Sequence, residues 1–240
     1  MLGLFSGSGQ GALDSRASQA RTHAVLGTPI DAPAGSGQGE VLFGCGCFWG
    51  AEKGFWRLPG VVTTAVGYAG GALAQPTYQQ VCSGRSGHAE VVRVVWDQEK
   101  LHLSDLLKLF WECHDPTQGD RQGNDRGSQY RSAIFINDPQ GLTLATASAV
   151  QYGLQLAAAG FGPITTEIRA DVAFQPGETY HQQYLAKPGS RPYCSAQPTG
   201  ILLADFPGCD YKLPPAVWSY FDWSISHCVL RGDNAPIILS

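Results

Sequence analysis

Between residues 40 and 190, short β-branched runs alternate with segments of helical period, and such a chain buries both by packing helices on a sheet. Glu40–Gly44 reads as a short apolar strand, and Cys47–Leu58 as a helix stopped by Pro59-Gly60. Val61–Tyr68 reads as a second strand ended by Ala69-Gly70-Gly71, and Pro76–Cys82 as a short helix before Ser83-Gly84. His88–Trp96 has clear strand character. Ser104 is the expected cap of a helix running to about His114. Arg131–Ile136 reads as another strand, and Asp138-Pro139 opens a helix that ends near Gly160. Ile164–Arg169 and Val172–Phe174 are expected as short strands, with Glu178–Ala186 as a last short helix. This order predicts an α+β fold, a two-layer α/β sandwich on a mixed β-sheet.

The flanks differ. Residues 1–39 are rich in Gly, Ala and Ser without sustained periodicity and predict a flexible N-terminal arm lying over the surface. Residues 191–240 hold Pro192, Pro198, Pro207, Pro214, Pro215 and Pro236 and predict an irregular, loop-rich C-terminal tail. Charged residues make up only 15%, with a net charge of −4, which gives no reason to propose nucleic acid or an anionic membrane as partner. No apolar run approaches the roughly 20 residues of a membrane helix, so a soluble chain is expected; a monomer is expected as well. The opening Met1-Leu2-Gly3-Leu4-Phe5 lacks a basic region and an apolar stretch of signal-peptide length. Arg16 and Arg21 among Ser and Ala faintly suggest a transit segment, such as a plastid one, but Asp14 and Asp31 oppose it; a cytoplasmic location is expected.

Seven cysteines, an odd number in a chain of 240 residues, argue against a secreted disulfide scaffold. No C-x-x-C pair occurs, so no zinc knuckle and no metal site is expected. Reactive thiols remain. Gly46-Cys47-Phe48-Trp49-Gly50 follows a strand and opens a helix. A thiol there faces unpaired N–H groups and the positive end of the helix dipole, which favour the nucleophilic thiolate. An ordinary core cysteine at a helix start fits the same pentapeptide. On the strand His88–Trp96, Glu90 shares one face with Val92, Val94 and Trp96, opposite to Arg93. A carboxyl beside apolar side chains has a raised pKa and stays protonated near neutrality, as a general acid requires. A strand-end Glu turned to solvent is the alternative.

Eight segments in register carry a resemblance. Gly46-Cys47-Phe48-Trp49-Gly50, Pro76-Thr77-Tyr78, Val81-Cys82-Ser83-Gly84 and Gly87-His88-Ala89-Glu90 are four of them. His114-Asp115-Pro116-Thr117, Gly123-Asn124-Asp125, Gln129-Tyr130-Arg131-Ser132 and His181-Gln182-Gln183-Tyr184-Leu185 are the others. In order and spacing across residues 40–195 they resemble the A-type peptide methionine sulfoxide reductases. The resemblance implies that residues 40–190 form the catalytic domain, with a ferredoxin-like core. It implies that Cys47 is the nucleophile, and that Glu90 protonates the sulfoxide oxygen. Tyr78 and Tyr130 match phenols bonded to the same oxygen. Phe48 and Trp49 match the aromatic pocket for the substrate methyl group, and Asp125 a polar residue lining the site. His88, His181 and Cys82 also match family positions and are read as structural. A preference for the S epimer is implied too.

A sulfoxide sulfur is electrophilic only while its oxygen is being protonated, so a thiolate and a neutral acid must converge on one S=O group. Attack leaves a sulfenic acid on Cys47, a second cysteine condenses with it, and thioredoxin, by resemblance, restores the thiols. No metal or organic cofactor is needed. Oxidised proteins and peptides are the implied substrates, with protein repair as the role. Tyr193-Cys194 matches the first resolving position, although Arg191-Pro192 stands before it in place of the usual glycine, and Ser195–Pro207 replaces a Gly-rich stretch. Cys209 and Cys228 are further resolving candidates. Cys45 occupies a usually apolar position and Cys113 a helical pattern; both read as core. A thiol peroxidase, or a redox sensor or metal module built on the tail cysteines, are the rival readings.

Overall fold

A computed structural model of the chain describes residues 21–238, so most of the arm, Arg16 included, lies outside the described residues. Its centre is a six-stranded sheet. The strands are β1 (Gln38–Cys45), β2 (Val61–Ala69), β3 (Ala89–Asp97), β6 (Ser132–Phe135), β7 (Glu167–Arg169) and β8 (Gln175–Pro176). They lie in the order β7-β6-β1-β3-β2-β8. Only β6 and β7 run parallel, so the sheet is mixed. A two-stranded ribbon, β4 (Arg121–Gln122) with β5 (Asp125–Arg126), stands apart.

The pleat sorts the side chains. Val41, Phe43 and Cys45 of β1 and Val92, Val94 and Trp96 of β3 share one face, as the period of two requires. On them pack α1 (Phe48–Trp56) through Phe48, Ala51 and Phe55, and α3 (Leu103–Glu112) through Leu106, Leu107 and Phe110. Phe43 stacks at 4.8 Å on Phe55 and 5.1 Å on Phe110, which ties both helices to the central strand. The longest helix, α4 (Pro139–Ala158), is capped by Asp138, which accepts from Gly141 N, and adds Ala145, Tyr152 and Leu156 to this core.

Loops cover the opposite face. Val172 and Phe174 pack on Leu42, Val91 and Phe135 there. The segment before β1 is held to the same face: Arg93 donates to the carbonyls of Ile30 and Ala32, and Ile30 is buried. Arg21 pairs with Asp31, so these two residues serve this packing. After residue 203 the tail crosses the helical layer and buries Val217, Phe221, Trp223 and Ile237. It contains one short helix, α5 (Pro215–Trp218), and binds α1 through Lys53 Nζ to Gly232 O and Trp56 Nε1 to Asn234 O.

Four local expectations are corrected. His102, not Ser104, caps α3: its ring accepts from Ser104 N while Asp105 reaches back to His102 N. Ser104 Oγ is taken by Asp210 N of the tail. Val172–Phe174 forms no strand; the edge strand is the next pair, Gln175–Pro176. Of Ile164–Arg169, only Glu167–Arg169 pairs with the sheet. Glu178–Ala186 is no α-helix but turns ending in a 3₁₀ turn, Tyr184–Ala186. The buried Glu52 carboxylate binds both Gln183 N and Gln183 Nε2, and Gln183 adopts a φ of 46°, where a right-handed helix cannot continue.

Candidate active site

Cys47 is the N-cap residue of α1, and the turn into it needs Gly46, whose φ is +87°. A Cβ at Gly46 would meet the Gln122 side chain at 2.6 Å. Cys47 is 8% exposed. Its thiol is pushed well above the usual range by burial and by the Glu90 carboxyl, against the pull of the Trp49 N–H. The helix terminus therefore acts in the direction expected from sequence, but burial outweighs it, and the resting group is a thiol.

Glu90 sits on β3 behind the first turn of α1 and accepts from Phe48 N at 3.1 Å. It is 2% exposed, on the helical face of the sheet rather than turned to solvent. Burial raises its pKa to about 8, opposed by the Phe48 N–H and aided by the charge of Asp125. At neutral pH this carboxyl holds its proton.

Two tyrosines flank the carboxyl. Tyr78 opens a short helix, α2 (Tyr78–Cys82), and Tyr130 closes the 3₁₀ turn Ser128–Tyr130. Both phenols are held neutral, first by burial; the Glu90 charge acts on both, and Tyr78 also bonds the Cys82 thiol. Cys82 is exposed beside the site. His88 bonds the Leu73 carbonyl and Gly71 N and serves the loop.

Phe48 and Trp49 form one wall with His181. His181 lies 5.1 Å from Phe48 and 4.5 Å from Tyr78 between ring centroids, and its Nδ1 accepts from Trp49 Nε1. Burial lowers its pKa to about 4, so the ring is neutral. Tyr184 stacks on Trp49 at 4.0 Å. Glu178 accepts from the Tyr68 hydroxyl and from Tyr78 N, which fixes Tyr78 against this wall. Glu178 and Tyr68 were not singled out from the sequence, and Tyr184 stood there only as part of the segment His181–Leu185. Their roles depend on contacts between residues over 90 positions apart, and no local pattern announces them.

Asp125 accepts from the hydroxyls of both Tyr193 and Ser195. It thereby anchors the residues on either side of Cys194 at the site. Cys194 is buried against α1: a Cβ at Gly50 would lie 2.5 Å from its Sγ. Its charge also acts on the Cys47 thiol. Cys209 is elsewhere. It neighbours Asp210, which binds Ser104 in the first turn of α3, while Cys113 at the other end of that helix adjoins Cys45. Ten helical residues at about 1.5 Å each separate the two ends by roughly 15 Å. The turn Cys228–Leu230 packs on α1 through Val229; the Cys228 side chain lies outside the described residues.

Fold and site together define a thiol-based reductase: a buried cysteine at a helix start, a neutral carboxylic acid beside it, an aromatic wall, and a second cysteine packed on the same helix at Gly50. The family model described as peptide methionine sulfoxide reductase matches residues 39–202. A peptide methionine sulfoxide reductase MsrA from Rhodospirillum centenum is 54% identical over 181 residues, covering 75% of this chain and 81% of the relative. One from Azotobacter vinelandii is 55% identical over 182 residues, covering 75% and 83%. The solved methionine sulfoxide reductase A of Corynebacterium diphtheriae superposes with a TM-score of 0.68 at 45% identity, over 75% of this chain and 87% of that one. The reduced form of Mxr1 from Saccharomyces cerevisiae gives a TM-score of 0.60 at 28% identity, covering 68% and 92%. The chain belongs to the peptide methionine sulfoxide reductase family.

Proposed function

We propose that the chain reduces methionine S-sulfoxide in oxidised proteins and peptides, with Cys47 as nucleophile and Glu90 as proton donor. The observation that carries this reading is a buried Glu90 carboxyl, protonated at neutral pH, hydrogen-bonded to the first turn of the helix that Cys47 opens. Phe48 and Trp49 receive the substrate methyl group, and the Tyr78 and Tyr130 hydroxyls donate to the sulfoxide oxygen. Glu90 gives its proton to that oxygen as Cys47 attacks sulfur, and recovers one from the Cys47 thiol. The S–O bond breaks and methionine leaves, with its sulfur reduced by two electrons. The hydroxyl passes from the substrate sulfur to Cys47 as the sulfur–sulfur bond made in the attack breaks, which leaves Cys47 as a sulfenic acid.

Cys194 then attacks Cys47 Sγ, expels water and forms a disulfide, which the dithiol of thioredoxin reduces by exchange. The place of Cys194 over Gly50 and the hold of Asp125 on its neighbours support this choice. Cys209 is a secondary candidate that would need the tail to move, and Cys228 is another. The order β6-β1-β3-β2, with α1 and α3 as the crossings, supports a ferredoxin-like description of the core, spanning a catalytic unit of residues 40–190. Among the described residues no helix is long and apolar enough to cross a membrane. We read the protein as a monomer of a thiol-reducing compartment, the cytoplasm.

Single-turnover release of methionine from a sulfoxide peptide tests the reading. Wild-type protein, reduced beforehand, releases it without added reductant; Cys47→Ser releases none, because a hydroxyl is hardly ionised near neutrality. Release by the serine variant would remove Cys47 from its role.

A further inference from the structure

Two cysteines outside the proposed reaction meet behind it. Cys45 ends β1, two residues before Cys47, and Cys113 follows α3; both are buried, at 2% and 6% exposure. The sulfurs of Cys45 and Cys113 and a ring nitrogen of His114 all lie within 4.8 Å of one another. The two thiols share a hydrogen bond, which with His114 draws Cys113 down against burial, while burial holds Cys45 up. Cys45 also feels the charge of Cys194. Cys45 and Cys113 line one small void together with Gly50, the residue over which Cys194 Sγ sits, and Val229. Two sulfurs therefore line one gap in the packing, with Cys194 Sγ over Gly50, another of its lining residues, and Cys47 on the adjoining turn.

We propose that Cys45 and Cys113 are a second, buried dithiol that reduces the Cys47–Cys194 disulfide internally and so stores one further turnover. The proposal rests on the reading of Cys47 and Cys194 given above. Cys45 Sγ attacks Cys194 Sγ; the Cys45–Cys194 bond forms, the Cys47–Cys194 bond breaks, and Cys47 leaves with the proton from Cys45. Cys113 Sγ then attacks Cys45 Sγ, and Cys194 leaves with the proton from Cys113. Two electrons pass from the buried pair to the active-site pair, and the products are a Cys45–Cys113 disulfide and two thiols. Cys47 is then free for a second sulfoxide. The exchange is reversible, so a reductant acting on Cys194 refills the store through the same void.

His114 argues for a dithiol rather than a metal site. Its Nδ1 donates to Phe110 O at 2.8 Å and its Nε2 meets Ser132 Oγ at 2.8 Å, so both ring nitrogens are already engaged.

The test is a reductant-free burst under argon, with excess sulfoxide peptide and the full chain reduced beforehand. Methionine released per enzyme is counted, and the quenched protein is alkylated and mapped for disulfides. Wild type is expected to release one equivalent more than Cys113→Ala or Cys45→Ala, and its map to show a Cys45–Cys113 disulfide. Equal yields in all three proteins overturn the proposal, as does a wild-type map with both cysteines alkylated. Stoichiometric zinc in the purified reduced protein, lost in both variants, overturns it in favour of a metal site. Where a variant fails to fold, the wild-type map decides alone. Should wild type release no methionine at all, the reading of Cys47 itself is at fault; a first equivalent without the buried disulfide leaves that reading intact.

Discussion

Glu90 keeps its proton because a carboxylate at that point of β3 would have lost its water and gained only one N–H in return. The proposed rate of sulfoxide reduction is thus high on the acid side and falls as pH rises through about 8. Glu90→Gln should slow methionine release by roughly 10²–10⁴-fold, the usual worth of general acid catalysis, and remove that limb of the profile. Unchanged release would show that another group supplies the proton. The same shift acts on stability. The folded-state pKa of about 8 lies above the ordinary value of 4.5, so the native state keeps a proton that the unfolded chain gives up. The stability gained from Glu90 is fully present below the ordinary value and is lost as pH rises through about 8. Melting curves of wild type and Glu90→Gln should therefore draw apart between about pH 5 and pH 9, in favour of the variant at the alkaline end. Parallel curves would contradict the buried, neutral carboxyl.

The first turn of α1 does three things at once: it ends the β1 turn, presents Cys47, and leaves room for Cys194. Gly50→Ala puts a methyl 2.5 Å from Cys194 Sγ, and the tail must give way. Such overpacking costs about 1–3 kcal/mol, and disulfide formation should slow while the first methionine is still released. Single-turnover kinetics with disulfide mapping separates the two steps; equal slowing of both would put Gly50 in the substrate pocket instead. The elements that carry Cys47 and Glu90 were legible because each has a period, whereas the ribbon and 3₁₀ turn that carry Asp125 and Tyr130 have none. His88–Trp96 reads as a strand whose even positions face the core, and the structure gives Ala89–Asp97 with Glu90 on that face. Elements without a period were not legible. Glu178–Ala186 has helical composition, but Glu52, over 120 residues away, captures Gln183 and turns the chain. His102 caps the helix two residues before Ser104, whose hydroxyl instead accepts from Asp210 N of the tail. Cys45 and Cys113 read as core, and they are buried; that their sulfurs meet is a property of the sheet–helix packing that spacing cannot reveal.

Across the whole molecule, the tail is the part whose contribution the sequence hid most fully. Its prolines remove periodicity, yet its carbonyls accept from the Lys53 and Trp56 side chains of α1, Ile237 N donates to Arg57 O just beyond, and it buries Phe221 and Trp223. The family match ends at residue 202, so this cover lies outside it. Full burial of a large apolar side chain is worth about 1.5–3 kcal/mol, and Val217, Phe221, Trp223 and Ile237 are four of them. Ending the chain after Asp210 should therefore lower the melting temperature by well over ten degrees, on the order of a few degrees per kcal/mol. A shift of only a few degrees would make the tail a passive appendage. The tail also holds Cys194 beside α1, which links its packing to the proposed chemistry and to the most direct measurement of it. Cys194→Ser, reduced, is mixed with one equivalent of a methionine sulfoxide peptide and quenched with a dimedone-type reagent that captures sulfenic acids. The expected result is one methionine per enzyme and the adduct on Cys47, with thioredoxin-coupled turnover collapsed. Methionine release with the adduct on another cysteine and Cys47 unmodified, or no methionine at all, would contradict Cys47 as the atom that attacks.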